Sequence, residues 1–156
     1  MSAVEIVTVQ TAAQLEGVRR LFEEYWSSFG FTPCFQNFSD ELANLPGDYV
    51  PPSGALALAF VDYQSAGCAA LHRIDATRCE AKRLYVRPAF RGRGLGLALL
   101  DWVIARARTA GYREMLGDTM PVMDRALQIY DRYGFERIPP YSDHPTPGAI
   151  YLRLKL

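Results

Sequence analysis

Residues 84–96 read Leu84-Tyr85-Val86-Arg87-Pro88-Ala89-Phe90-Arg91-Gly92-Arg93-Gly94-Leu95-Gly96. A β-like run ends in Leu-Tyr-Val and passes through a glycine-rich turn into a helical pattern. In that helix Leu95, Leu99 and Val103 form an apolar seam, widened by Leu100 and Ala107. The glycines let the backbone approach a ligand without Cβ collisions. The first amides of a helix lack intrahelical acceptors and lie at the positive end of the macrodipole, so an anion would bind here. Arg91 and Arg93 add two positive charges. Glycines that serve turn geometry alone would leave the same pattern, so the turn by itself keeps both readings open. Two phosphate motifs are excluded. No Lys-Ser or Lys-Thr follows as a P-loop requires, and Leu97 stands where the dinucleotide fingerprint needs its last glycine.

Working outward, alternating or β-branched runs predict strands over 4–9, 55–62, 67–74, 79–86, 114–119, 135–138 and 149–155. Apolar recurrence at three- and four-residue steps predicts helices from Thr11 to Gly30, over 94–109, and over about 122–133. Thr11 and Gln14 have capping-box spacing at the start of the first helix. A short helix is expected from Ser39 or Asp40 to Asn44, inside a proline-broken, aromatic segment over 31–53 that reads as a binding loop. This order predicts a mixed α/β layer, not a regular βαβ array.

The chain has 156 residues, 49% of them apolar and 22% charged, which predicts one ordinary globular domain spanning 1–156. Lys plus Arg and Asp plus Glu are 17 each, so the basic excess needed for nucleic-acid backbones is missing. No run approaches the ~20 apolar residues of a membrane span. The N-terminal residues lack signal-peptide character, and three irregularly spaced cysteines fit a reducing, cytoplasmic setting. His72 and His144 have no metal-ligand spacing around them, and no metal is expected.

Arg91-Gly92-Arg93-Gly94-Leu95-Gly96 matches Q/R-x-x-G-x-G/A, and the run from Ala126 to Phe135 matches A-x-x-L/I-Y-x-x-x-G-F. In these segments and in its element order the chain resembles the GNAT N-acetyltransferase superfamily along its whole length. The resemblance implies a mixed, mostly antiparallel central sheet of six to seven strands with splayed central strands, flanked by about four helices. It implies acetyl-CoA as co-substrate. The amides of Arg91, Gly92, Arg93, Gly94, Leu95, Gly96 and Leu97 would cradle the pyrophosphate, and main-chain groups of Leu84, Tyr85 and Val86 would pair with the pantetheine arm. A backbone amide near Val86 would face the thioester carbonyl, where charge develops in the transition state.

Tyr130 matches the family tyrosine that protonates the departing thiolate, whereas its residue type and place on an apolar helix face alone would read as core. Glu80, eleven residues before Arg91, matches a position where some branches place a catalytic carboxylate. It reads equally as an ion-pair partner of Lys82 or Arg83, and Asp118 or ordered water are the other candidates for base. The asparagine that many members carry before the tyrosine's helix is absent from Met120-Pro121-Val122-Met123-Asp124.

The resemblance places the acceptor against the first helix, its following loop and the last strands. There Tyr25, Trp26, Phe29, Phe31, Phe35 and Tyr141 suggest an aromatic pocket for a small organic amine. The same aromatics also fit simple packing of that helix onto the sheet. Family members often form homodimers, and no segment here fixes such an interface. The rival readings are a non-catalytic acyl-CoA-binding or regulatory module, a protein or peptide N-acetyltransferase, and an enzyme for longer acyl-CoA.

Overall fold

The computed structural model describes residues 3–28, 38–119, 124–141 and 148–156. The elements run β1 (Val4–Thr8), α1 (Ala12–Ser28), α2 (Phe38–Ala43), β2 (Ala55–Val61), β3 (Gln64–Arg73), β4 (Arg78–Val86), α3 (Leu95–Thr109), β5 (Glu114–Thr119), α4 (Asp124–Tyr133), β6 (Glu136–Ile138) and β7 (Ile150–Lys155). The expected elements are all present, with ends shifted by a few residues. The capping box forms: Thr11 Oγ1 accepts from the Gln14 amide at 3.1 Å, and Gln14 Oε1 accepts from the Gln10 and Thr11 amides. Gly30, assigned as the stop of α1, lies outside the described residues.

The seven strands form one sheet in the order β1-β2-β3-β4-β5-β7-β6. Every neighbouring pair is antiparallel except β4–β5. That parallel pair holds over only Arg78↔Glu114, Cys79↔Met115 and Glu80↔Leu116, and beyond Glu80 the two strands part.

The sheet separates two apolar layers. On one face Leu71, Cys79, Met115 and Leu152 pack against Leu99, Val103 and Ile104 of α3. On the other, Leu56, Leu58, Ala70 and Tyr85 pack against Leu21, Phe22 and Trp26 of α1 and Phe38 of α2. Each fully buried large side chain here contributes roughly 1.5–3 kcal/mol. Together these layers clamp β4 from both sides and so fix the strand that leads into the glycine turn.

The register of β4 is broken by a bulge. Cys68 faces Tyr85 and Ala70 faces Lys82, so β4 spends one more residue than β3 over this span. Arg83 sits in the bulge at φ +59°, a left-handed conformation that costs an L-residue about 1–2 kcal/mol. Its side chain offsets that strain. The guanidinium forks onto Glu41 of α2 and lies 4.7 Å from the centre of the Trp26 ring.

Candidate active site

The parting of β4 from β5 leaves one edge of residues 84–86 without a strand partner, while β3 pairs with the other edge through Gly67↔Val86 and Cys68↔Tyr85. Pro88–Phe90 form a single 3-10 turn, and residues 91–94 lead into α3. Gly92 and Gly94 take φ +81° and +78°, and nothing stands within 4 Å of where a Cβ would project from either. Glycine is needed here for backbone conformation, and the space it leaves is open. Gly94 is the N-cap of α3, without a side-chain cap. The first bond of the helical ladder runs from the Ala98 amide to the Gly94 carbonyl at 3.1 Å. The amides of residues 95–97 therefore precede the ladder, where helical geometry supplies no acceptor.

These features border a cavity of about 440 Å³. Its floor is residues 84–86, one end is the glycine turn with the first turn of α3, and its far wall is α4. Arg91, Arg125 and Arg132 reach its lining, and no carboxylate does so among the described residues. An extended polyanion fits this arrangement: a strand edge for amide pairing, a helix N-terminus for phosphate, and guanidinium groups around both.

A second set of polar groups lies on the α1/α2 face of the sheet, beside the parting of the strands. Paired residues share a face, so His72, Glu80 and Leu116 form one row across β3, β4 and β5, and Asp118 with Tyr151 begins the next. Glu80 is 7% exposed. Its Oε1 lies 2.6 Å from His72 Nε2 and 3.7 Å from Lys82 Nζ, and its Oε2 accepts from the Tyr141 hydroxyl. Burial pushes the Glu80 carboxyl upward, but the hydrogen bond from His72, the Lys82 charge and the hydrogen bond from Tyr141 outweigh it and hold the pKa at about 2. An ionised carboxylate only accepts, so His72 Nε2 donates. Tyr141 stacks edge-on against Tyr151, and the His72 ring meets Tyr49.

Tyr130 comes from α4 into the parting. It is 3% exposed, and its ring end lies 3.9 Å from where a Cβ would project from Gly117 of β5. Burial, followed by the charges of Tyr25, Asp118 and Glu80, pushes its phenol well above the ordinary range, so it keeps its proton.

The sequence profile described as the acetyltransferase (GNAT) family matches residues 15–135. The chain belongs to this family. An uncharacterized N-acetyltransferase of Schizosaccharomyces pombe is 37% identical over 157 residues, covering 99% of this chain and 96% of its own. A GNAT-family acetyltransferase of Staphylococcus aureus superposes with a TM-score of 0.83 at 19% identity, covering 98% of this chain and 99% of the other. A candidate acetyltransferase of Salmonella typhimurium, solved with its cofactor acetyl-CoA, superposes at 0.74 with 18% identity, covering 98% and 94%.

Within this GNAT chain, Leu84, Tyr85, Val86, Arg91, Gly92, Gly94, Leu95, Gly96 and Leu97 all line the cavity. Arg91 also turns back, its Nε donating to the Val86 carbonyl at 2.9 Å. Arg93 lies over the Phe90 ring. Glu80, Tyr130 and Tyr141 gather at the parting of β4 and β5. Tyr25 lies near them, and burial raises its pKa to about 12. Trp26 is 2% exposed, held between Phe38 and the Arg83 guanidinium. Phe29, Phe31, Phe35 and His144 lie outside the described residues, as do positions 120–123.

Sequence reasoning missed the wall supplied by α4. Arg125 and Arg132 are seven residues apart and so share a helix face, a signal that was present in the sequence. It also missed His72 as the partner of Glu80, and Arg87, whose guanidinium grips Glu24 of α1 at 2.6–3.1 Å and the Ser65 carbonyl at 2.9 Å. That grip ties the start of the glycine turn to α1.

Proposed function

We propose that this GNAT chain transfers an acetyl group from acetyl-CoA to the amine of a small molecule by direct attack in a ternary complex, with no covalent acetyl-enzyme. The observation that carries this reading is the cavity joining the unpaired edge of residues 84–86 to the glycine turn. Acetyl-CoA has the matching shape and charge: a pantetheine arm that pairs like a strand, ending in a pyrophosphate that fits the amides of residues 92–97, whereas the Arg91 amide, expected to join them, already donates to the Pro88 carbonyl at 3.3 Å. The Salmonella typhimurium relative by fold was solved with acetyl-CoA.

In this mechanism the arm lies along Leu84, Tyr85 and Val86 and delivers the thioester to the parting of β4 and β5. A backbone amide near Val86 donates to the carbonyl oxygen as negative charge develops there. Glu80 serves as base or as the carboxylate that orients a water, and Tyr130 protonates the sulfur. A phenol held above its ordinary range is a reluctant donor. Its transfer to sulfur is therefore coupled to recovery of a proton from the nitrogen of the collapsing intermediate, so no free tyrosinate forms. Each such proton transfer contributes about 10²–10⁴ in rate.

Calorimetric titration with acetyl-CoA tests the cofactor half. Micromolar binding is expected, lost when Arg91 and Gly94 are changed together to Glu and Val. Thiol release in a panel of amines then tests turnover. No acetyl-CoA binding by the intact chain would overturn the whole reading. Binding without thiol release from any amine would replace it with an acyl-CoA-binding module.

A further inference from the structure

Three guanidinium groups line the cavity, and Arg91 differs from the other two. Arg125 and Arg132 are exposed on α4, whereas Arg91 is half-buried and folds back onto the cavity floor. Its guanidinium carbon lies 5.8 Å from the centre of the Tyr85 ring, and its Nε donates to the Val86 carbonyl at 2.9 Å.

The direction of that carbonyl gives the contact its meaning. Successive residues of a strand send their backbone groups to opposite edges. The Arg87 amide donates to the Ala66 carbonyl at 2.8 Å, so Arg87 points toward β3. Val86 therefore points the other way, and its N–H and C=O lie on the edge that β5 has left. An arm that extends β4 along this edge needs those two groups as partners. The C=O is already taken by a charged donor, which binds it more strongly than a neutral amide does. An uncharged arm competes poorly for it.

A phosphate reverses the balance. A guanidinium grips a phosphate with parallel bonds and opposite charge, and that pairing outweighs one bond to a carbonyl. No carboxylate lines the cavity among the described residues to hold Arg91 back. Glu24, which accepts from the Tyr85 hydroxyl, is gripped by Arg87.

We propose that Arg91 selects the acyl donor. It caps the Val86 carbonyl against thioesters that carry no phosphate, and a donor's pyrophosphate draws it off and opens the strand edge to the arm. This rests on the acetyltransferase reading and narrows its donor class to thioesters whose arm ends in a pyrophosphate. Arm and anion then bind cooperatively, and each tightens the other by the same factor.

The test separates arm from anion. Pantetheine, which has the arm and no phosphate, is titrated into the unaltered chain and into R91M, with and without inorganic pyrophosphate, and binding is read by ligand-observed NMR. Calorimetry with acetyl-CoA runs beside it on both chains. In the unaltered chain saturating pyrophosphate tightens pantetheine binding about tenfold or more, the worth of one hydrogen bond to a charged group. R91M alone binds pantetheine tighter than the unaltered chain by a similar factor and gains nothing from pyrophosphate. Its preference for acetyl-CoA over pantetheine narrows about tenfold or more. Pyrophosphate that leaves pantetheine binding unchanged or weakens it in the unaltered chain would overturn the proposal, as would an R91M that binds pantetheine no more tightly. The pyrophosphate measurement needs no variant, so it decides alone if R91M fails to fold. An unaltered chain that binds no acetyl-CoA would instead overturn the acetyltransferase reading beneath it.

Discussion

Arg83 and Glu41 are joined across 42 residues of sequence by two hydrogen bonds of 2.8 and 2.9 Å, with the arginine in a left-handed backbone conformation. Arg83 is 4% exposed, so this pair links α2 to the β4 bulge where little water reaches it. E41Q removes one partner of a buried pair and is expected to cost about 3–5 kcal/mol in denaturant unfolding, because the guanidinium stays buried without its counter-charge. The double variant R83M/E41Q is expected to recover much of that loss. If E41Q alone unfolds at the denaturant midpoint of the unaltered chain, the pair does not hold α2 to the sheet.

Tyr130 to Phe keeps the ring that packs on Phe135, whose centre is 4.9 Å away, and removes only the hydroxyl. Turnover is expected to fall by about 10²–10⁴ with acetyl-CoA affinity unchanged. Steady-state thiol release alongside calorimetry separates the two effects. Unchanged turnover in a folded Y130F would remove this hydroxyl from the mechanism.

Glu80 titrates at about 2 in the folded chain against an ordinary 4.5. A depressed carboxyl pKa stabilises the fold fully above the unfolded value, and that stability is lost as pH falls through the folded one. The unaltered chain should therefore lose stability between about pH 4.5 and about pH 2, and E80Q should lose less over the same window. Urea unfolding at several pH values measures both slopes, and parallel curves would contradict the assignment.

At Gly96 a Cβ would stand 2.6 Å from the Ile129 Cδ1. Ile129 lines the cavity, so G96A is expected to push that side chain into the space proposed for the cofactor. A flexible methyl end gives way easily, so the stability loss should be small, about 1 kcal/mol. Acetyl-CoA affinity should fall at least tenfold in calorimetry. An affinity equal to the unaltered chain would place the arm elsewhere.

The element order and the glycine turn were legible because each depends on local chemistry: apolar period, caps, and residues free to take positive φ. Gly92 and Gly94 take that conformation, as the turn requires. Arg83 does so too, and nothing local predicts it, because its reward is Glu41, 42 residues away. His72 and Glu80 are eight residues apart in sequence, yet they meet because the β3–β4 register places them opposite each other. Strand register is a tertiary result, and the bulge alters it partway along. Trp26 shows the opposite limit. Its helix face was legible, but its contact with Arg83 depends on the same bulge.

The extra residue at Arg83 also resets the phase of β4. Up to Lys82 the strand alternates in one phase, with Ala81 in the α3 layer and Glu80 toward α1. After Arg83 the phase is inverted: Leu84 joins the α3 layer and Tyr85 joins the α1 layer. If Arg83 were drawn into a regular strand position and the bulge flattened, Leu84 and Tyr85 would exchange sides and the strand would enter the glycine turn half a period out of step. Glu80 and the unpaired edge of residues 84–86 thus occupy one strand on either side of a bulge, and the Glu41 pair that holds Arg83 in that bulge keeps both on their present faces.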